Sequence, residues 1–263
     1  MANGSIIHAG AKEKLSHVFD FTYRNKAASY DTGDNLQSHA FSTDGFTLYT
    51  GNNSDQIREH TLSTPFDITT ASFVTAHNTG GANEIEFNED GTILNLLDYQ
   101  TAYTTFDLTT PFDISSRTNQ RTLNTLGQEE GFVFAKSGSE IHICRRDARR
   151  IEIYSLSSPY DATTRGSLQY EFTTDVRSGS LMDIFWSDDG KTYYTLYRNP
   201  SRLEQLTVTR PFDPRSPAVV SYRDSKTLDD GADTDQKTIT WSTSGDVFHH
   251  AVFDSRKIYQ WQV

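Results

Sequence analysis

Short apolar runs return along this chain at nearly constant intervals, and each is closed by a turn that contains glycine. Five of them align: His39-Ala40-Phe41 before Thr43-Asp44-Gly45, Ile85-Glu86-Phe87 before Glu89-Asp90-Gly91, Phe132-Val133-Phe134 before Ser137-Gly138, Ile184-Phe185-Trp186 before Asp188-Asp189-Gly190, and Ile239-Thr240-Trp241 before Thr243-Ser244-Gly245. Brief runs rich in aromatic and β-branched residues read as strands. Asp-Gly between two such runs is a hairpin signal, because glycine takes the positive φ at little cost. A second strand is predicted after each turn (46–50, 92–97, 140–144, 192–197 and 247–252), and a third beyond a polar loop (57–62, 102–108, 151–156, 203–208 and 258–263). Helical periodicity is absent nearly everywhere, which sets aside a helical solenoid.

The third strand runs into a recurring phrase: Pro65-Phe66-Asp67-Ile68-Thr69, Pro111-Phe112-Asp113-Ile114-Ser115, Pro159-Tyr160-Asp161-Ala162-Thr163 and Pro211-Phe212-Asp213-Pro214-Arg215. Its prolines lie 46, 48 and 52 residues apart. Phe19-Asp20-Phe21-Thr22 is a degenerate copy. Proline fixes φ and aspartate bonds the backbone just ahead, so Asp20, Asp67, Asp113, Asp161 and Asp213 are predicted to cap turns rather than to ring a metal. A fourth strand follows, such as 71–76. Four antiparallel strands per repeat of roughly 40–50 residues make the blade of a propeller. Five copies predict an all-β fold, a five-bladed β-propeller of four-stranded antiparallel blades.

The chain ends predict how the ring closes. The last copy stops at Val263, where Leu62 stands in the first full copy, and 15–20 followed by 26–30 supply the missing turn and fourth strand. An N-terminal strand is therefore expected to complete the C-terminal blade, with Ser16 beside Val263. Residues 15–263 form one domain in this reading and 1–14 a tail.

Composition narrows the setting more than the activity. With a net charge of -11, the chain is not expected to bind a nucleic-acid backbone. No apolar run approaches the roughly 18 residues that cross a bilayer, so membrane insertion is not expected. Cys144 is the only cysteine and residues 1–18 have no apolar signal core, so synthesis and folding in a cytoplasm are expected.

The stretch 57–71 (Ile-Arg-Glu-His-Thr-Leu-Ser-Thr-Pro-Phe-Asp-Ile-Thr-Thr-Ala), with 106–114 and with Phe41-Ser42-Thr43-Asp44-Gly45-Phe46-Thr47-Leu48-Tyr49, resembles a β-propeller repeat family. That family has the blade motifs "L-S-T-P-F/W-D-I-S/T-T" and "F-x-x-D-G-x-x-L-Y" and occurs in marine bacterial proteins and in bacteriophage structural or tail-associated proteins. The third copy departs from it with Ser137-Gly138, and the last turn with Asp213-Pro214-Arg215. The resemblance implies a non-enzymatic structural or adhesive component of a virus particle: a tail, fibre or capsid-decoration protein. Its partners would be other virion proteins, further copies of itself within the particle, and host-surface glycan or protein. Its final location would be the virion. A stand-alone glycan- or protein-binding propeller is the alternative, and a glycoside hydrolase-like enzyme the second alternative.

Candidate chemistry follows from the loops that precede the inner strands, which converge on the central channel. A glycosidase needs paired carboxylates there, one protonated and one ionised. Glu84 and Asp183 hold aligned positions that would let them face each other. Arg145, Arg146, Arg149 and Arg150 form the one dense basic cluster and are candidates to dock an acidic partner or charged glycan. Tyr99 and Tyr197 are candidate stacking platforms for sugar. Trp186 and Trp241 are expected between blades. The eight histidines show no metal spacing, and no phosphate loop, zinc motif or Gly-x-Ser-x-Gly elbow is present, so no metal or cofactor is expected.

Overall fold

A computed structural model describes residues 25–98, 101–146, 148–174, 179–187, 190–199, 201–214, 221–227, 235–242 and 246–262. Strand β1 (Asn25–Asp31) comes first among the described residues. The first blade is β2 (Leu36–Phe41), β3 (Thr47–Asn52), β4 (Gln56–Leu62) and β5 (Ala71–Asn78), and the second is β6 (Glu84–Phe87), β7 (Ile93–Asp98), β8 (Ala102–Leu108) and β9 (Arg117–Asn124). The third comprises β10 (Glu129–Ala135), β11 (Glu140–Arg145), β12 (Arg150–Leu156) and β13 (Arg165–Thr173). The fourth comprises β14 (Ser180–Trp186), β15 (Thr192–Arg198), β16 (Arg202–Thr207) and β17 (Ser221–Thr227). The last holds β18 (Gln236–Trp241), β19 (Val247–Val252) and β20 (Lys257–Gln262), with β1 as its outer strand. The protein is thus a five-bladed β-propeller of four-stranded antiparallel sheets. No described helix is long and apolar enough to cross a membrane.

Ring closure rests on β1. It pairs antiparallel with β20, from Asn25 opposite Gln262 to Asp31 opposite Lys257. The outer strand of the final blade therefore comes from the other end of the chain, which covers the β20 edge. The expected contact of Ser16 with Val263, the turn at Asp20 and the tail 1–14 lie outside the described residues.

Inner strands are buried on both faces, because each blade packs against two neighbours. Ala40 and Tyr49 of the first blade share a core with Ile85, Phe87 and Leu94 of the second. Trp186 and Tyr193 pack with Val133 and Ile151 across the next-but-one seam. Apolar area removed from water contributes roughly 25 cal/mol per Å², so these seams carry most of the hydrophobic stabilisation. The outer strands β5 and β9 alternate exposed and half-buried positions.

The two repeated motifs meet in space. In each Pro-aromatic-Asp turn the aromatic residue has positive φ: +58° at Phe66, +62° at Phe112, +58° at Tyr160 and +55° at Phe212. That strain, uncommon for a bulky residue, lets the ring lie on the hairpin glycine of the same blade. A methyl group on Gly45, Gly91, Gly138 or Gly190 would overlap it. The backbone joins there too: Phe66 N donates to Gly45 O at 3.0 Å and Phe112 N to Gly91 O at 2.9 Å. The sequence showed both motifs but not their contact. A single turn of 3-10 helix, also unforeseen, follows each aspartate at Ile68–Thr70, Ile114–Ser116 and Ala162–Thr164.

Candidate functional site

The turn aspartates are bound within their own turns. Asp67 Oδ1 accepts from Thr69 N at 3.0 Å, Asp113 from Ser115 N at 2.9 Å and Asp161 from Thr163 N at 3.0 Å. Asp161 also takes Arg121 Nε of the preceding blade at 2.7 Å, and Asp213 takes Arg210 at 3.3 Å. Asp67 and Asp113 thus cap their own turns, while Asp161 also ties its blade to the preceding one.

Glu84 and Asp183 do not form the expected acid pair. Asp183 is fully buried, with Oδ1 accepting from Ile184 N at 2.8 Å and Oδ2 from Ile239 N at 3.0 Å. Its carboxylate staples β14 to β18 instead of facing the channel. Glu84 is closed off from solvent on β6. The sequence alignment placed both residues correctly along their strands. It could not show that this position points into the seam between blades, as Ser38 does when it donates to Ala82 O at 2.7 Å.

The arginine-rich loop is also turned inward. Arg145 pairs with Glu152 at 3.0 Å and bonds Gly127 O, while Arg150 pairs with Glu152 at 2.7 Å and Glu171 at 3.2 Å. Burial opposes ionisation of Glu152. The Tyr154 hydroxyl, Arg145 and Arg150 outweigh it and hold this carboxyl below the usual range. Arg146 bonds Glu130 at 2.8 Å, and Arg149 occupies a left-handed position in the turn, with φ +49°. The loop is therefore a neutralised ion-pair network rather than an open basic patch. Tyr197 is fully buried beneath the Arg202 guanidinium, which stands 4.8 Å from its ring centroid, so no sugar reaches it. Tyr99 lies outside the described residues.

A different group gathers at the mouth of the channel, on the face where the inner strands begin. The β-ladder shifts register there in four blades: between Leu36 and Ser38, Glu129 and Phe132, Leu181 and Asp183, and Gln236 and Ile239. Such a bulge re-aims side chains. Glu130 and Lys237, which lie inside two of these shifts, come close enough for the lysine charge to act on the carboxylate. They belong to the third and fifth blades, which are not neighbours, and each stands at the start of its inner strand. Arg146 and Arg198 act on Glu130 as well. Burial pushes the Glu130 carboxyl up, against the opposing pull of Lys237, Arg146 and Arg198. On the far side, Arg198 Nη1 stands 2.7 Å from Asp235 Oδ1, and Lys237 Nζ 3.5 Å from the same oxygen.

Glu130 and Asp235 lie on or beside the loops that the sequence sends to the channel, but Lys237 and Arg198 are not among the sequence candidates. One signal was available. In the aligned repeats, the position before the buried staple residue reads Gln37, Asn83, Glu130, Met182 and Lys237. It varies in chemical type from blade to blade, as does the staple position after it. Among the described residues no group of three or more His, Cys, Asp or Glu is arranged to hold a metal ion.

No protein-family model matches the chain, and no curated protein matches it. Solved structures resemble it in shape. The β-propeller domain of Cps50 (Swd1) from Myceliophteria thermophila is 10% identical with a TM-score of 0.52, over 87% of this chain and 83% of that one. A putative 6-phosphogluconolactonase from Bacteroides uniformis is 13% identical with a TM-score of 0.51, over 83% of this chain. Another from Bacteroides fragilis is 12% identical with a TM-score of 0.50, over the same share. The chain spans 64% of the length of each of these two proteins. At such identities the likeness shows the fold alone. It nonetheless corrects the expectation that the protein is not an enzyme, because propellers of similar shape include proteins named as lactonases.

Proposed function

We propose that this protein is a recognition ring that works at the mouth of its central channel, carried by a larger assembly of the kind its repeats resemble, a virus particle. The observation that carries the first half is the convergence of Glu130, Arg146, Arg198, Asp235 and Lys237 from three blades at that mouth. Partly buried charged groups whose ionisation is perturbed by their neighbours mark a functional candidate. The other repeated polar residues are absorbed by turns and seams, which leaves this non-repeating set free to differ from the scaffold. The resemblance of the blade motifs supports the setting.

The test has two arms. The purified chain is screened on a glycan array beside an Arg198→Ala, Lys237→Ala double variant, and binding that the double variant loses is the expected result. Equal binding by both would remove the mouth as the working surface. Quantitative mass spectrometry of purified particles is expected to find the chain at many copies, and its absence from them would end the virion reading.

A second reading, hydrolysis of a sugar lactone, is favoured by Glu130. Its carboxyl is raised by burial and stands beside three cations, the pairing that suits a proton-transfer group next to a developing negative charge. Turnover of a panel of sugar lactones, followed by acid release and abolished in Glu130→Gln, would establish it. No turnover by the wild type would dismiss it.

A further inference from the structure

We infer that the channel mouth takes an oxyanion, a carboxylate or phosphate group on a sugar-sized ligand, held by Lys237 and Arg198. The inference rests on the proposed site of recognition and adds the chemistry of what is recognised. Three features of the geometry lead to it.

Donors outnumber acceptors in the cluster. Lys237, Arg146 and Arg198 carry several N–H groups each, whereas Glu130 and Asp235 bring two oxygens apiece. Some of those donors lack good partners. Arg198 Nε is buried without an acceptor among the described residues. Lys237 Nζ stands 3.5 Å from Asp235 Oδ1, longer than an effective hydrogen bond, and lies 5.1 Å from the centroid of the Phe253 ring. Its side chain is 13% exposed, so its charge is largely withdrawn from water.

Charge is the second feature. Among the described residues Arg198 and Lys237 share the one carboxylate of Asp235, a local excess of positive charge in a chain whose net charge is -11. An anionic ligand is therefore drawn to this point on an otherwise repelling surface, and low-dielectric walls strengthen the attraction.

The third feature is spacing. Arg146 is taken up by Glu130 at 2.8 Å, and one arm of Arg198 by Asp235 at 2.7 Å. These bonds hold both guanidinium groups in place before any ligand arrives, which lowers the ordering cost of binding. The remaining donors of Arg198 and the Lys237 ammonium are the ones left to meet an oxyanion. Glu130 and Asp235 offer acceptors for hydroxyl groups beside it.

The full chain is titrated by calorimetry at low ionic strength with D-glucuronate, D-glucose 6-phosphate, inorganic phosphate and, as the neutral control, D-glucose. Glucuronate or glucose 6-phosphate is expected to bind while glucose does not, and the tighter of the two identifies the oxyanion. Inorganic phosphate binding as well as the sugar phosphate supports the oxyanion as the recognised group. Lys237→Met and Arg198→Met are each expected to weaken binding about tenfold, with the near-ultraviolet circular dichroism spectrum unchanged. Glu130→Gln removes a competing negative charge and is expected to tighten it several-fold. Glucose binding as tightly as glucuronate overturns the oxyanion inference and leaves mouth recognition standing, since the glycan array tests that separately. Anion binding that survives both methionine substitutions, or no binding by any anion, also overturns it.

Discussion

Gly91 and Phe112 lie in different strand connections of one blade, yet neither is free to change alone. The glycine has φ +72° and no space for a methyl group beneath the phenyl ring, while Phe112 is itself held at φ +62°. A left-handed non-glycine residue costs of order 1–3 kcal/mol, and overlap in a packed site adds to that. Gly91→Ala is expected to lower stability by about 2–4 kcal/mol in urea unfolding. In a Phe112→Ala background the same change should cost clearly less, because the overlap is gone and only the backbone strain remains. Equal costs in both backgrounds would show that the ring and the glycine do not act together. Each residue type was legible in the sequence. Their dependence was not, since it arises only when the Pro-aromatic-Asp turn folds back over the hairpin.

At the scale of the element, corresponding strands solve the same bonding problem with different residues. In three blades the middle of the second strand reaches the turn of the following blade. Tyr49 OH donates to Phe112 O, Asn95 Nδ2 to Tyr160 O at 2.8 Å, and His249 Nε2 to Phe66 O at 2.9 Å. The seam between the last and first blades uses histidine repeatedly. His39 bridges Thr238 and Thr240 at 2.7 and 2.9 Å, and the Tyr30 hydroxyl lies 3.2 Å from His60 Nδ1. Burial lowers the pKa of both His60 and His249 to about 4. Both are therefore neutral in the folded protein at pH 6, whereas in the unfolded chain they begin to take protons near 6.5. The unfolded state then binds more protons, so stability falls as pH drops from about 6.5 towards 4 and levels off below. Each histidine contributes about 3 kcal/mol to that loss. His249→Asn copies the residue used at Asn95 and keeps a donor to the turn without a titrating group. The slope of the urea midpoint between pH 6.5 and 4 is expected to be shallower in this variant, and an unchanged slope would place the acid sensitivity elsewhere.

For the whole molecule, closure is a pairing of two strands from opposite ends of the chain, with no covalent link between them. A disulfide from Asp31→Cys to Lys257→Cys would join facing residues of β1 and β20. Antiparallel partners lie within the Cα separation that a disulfide spans. The bridge would close most of the chain into one loop and stabilise the ring by about 3–5 kcal/mol by restricting the unfolded state. Cys144 is buried and offers no competing thiol at the surface. Oxidised and reduced forms compared by urea unfolding should differ by that amount. No difference would mean that this seam opens without limiting unfolding.

The architecture was legible because periodicity is a property of the chain. Spaced apolar runs, Asp-Gly hairpins and the Pro-aromatic-Asp phrase specified strands, blade count and the strand exchange between the two ends. The direction of a side chain within the ring was not legible, because it depends on which neighbouring blade it meets. Asp183 therefore stands aligned with the channel in sequence yet bonds Ile239 N in a seam. The arginines of 145–150 read as a basic patch until Glu129, Glu130, Glu152 and Glu171 are brought beside them. Glu130 and Lys237, 107 positions apart, act on each other because bulges turn them at the channel mouth and the ring sets their blades on either side of it. Local pattern determined the blades, and the closing of the ring decided which charges meet.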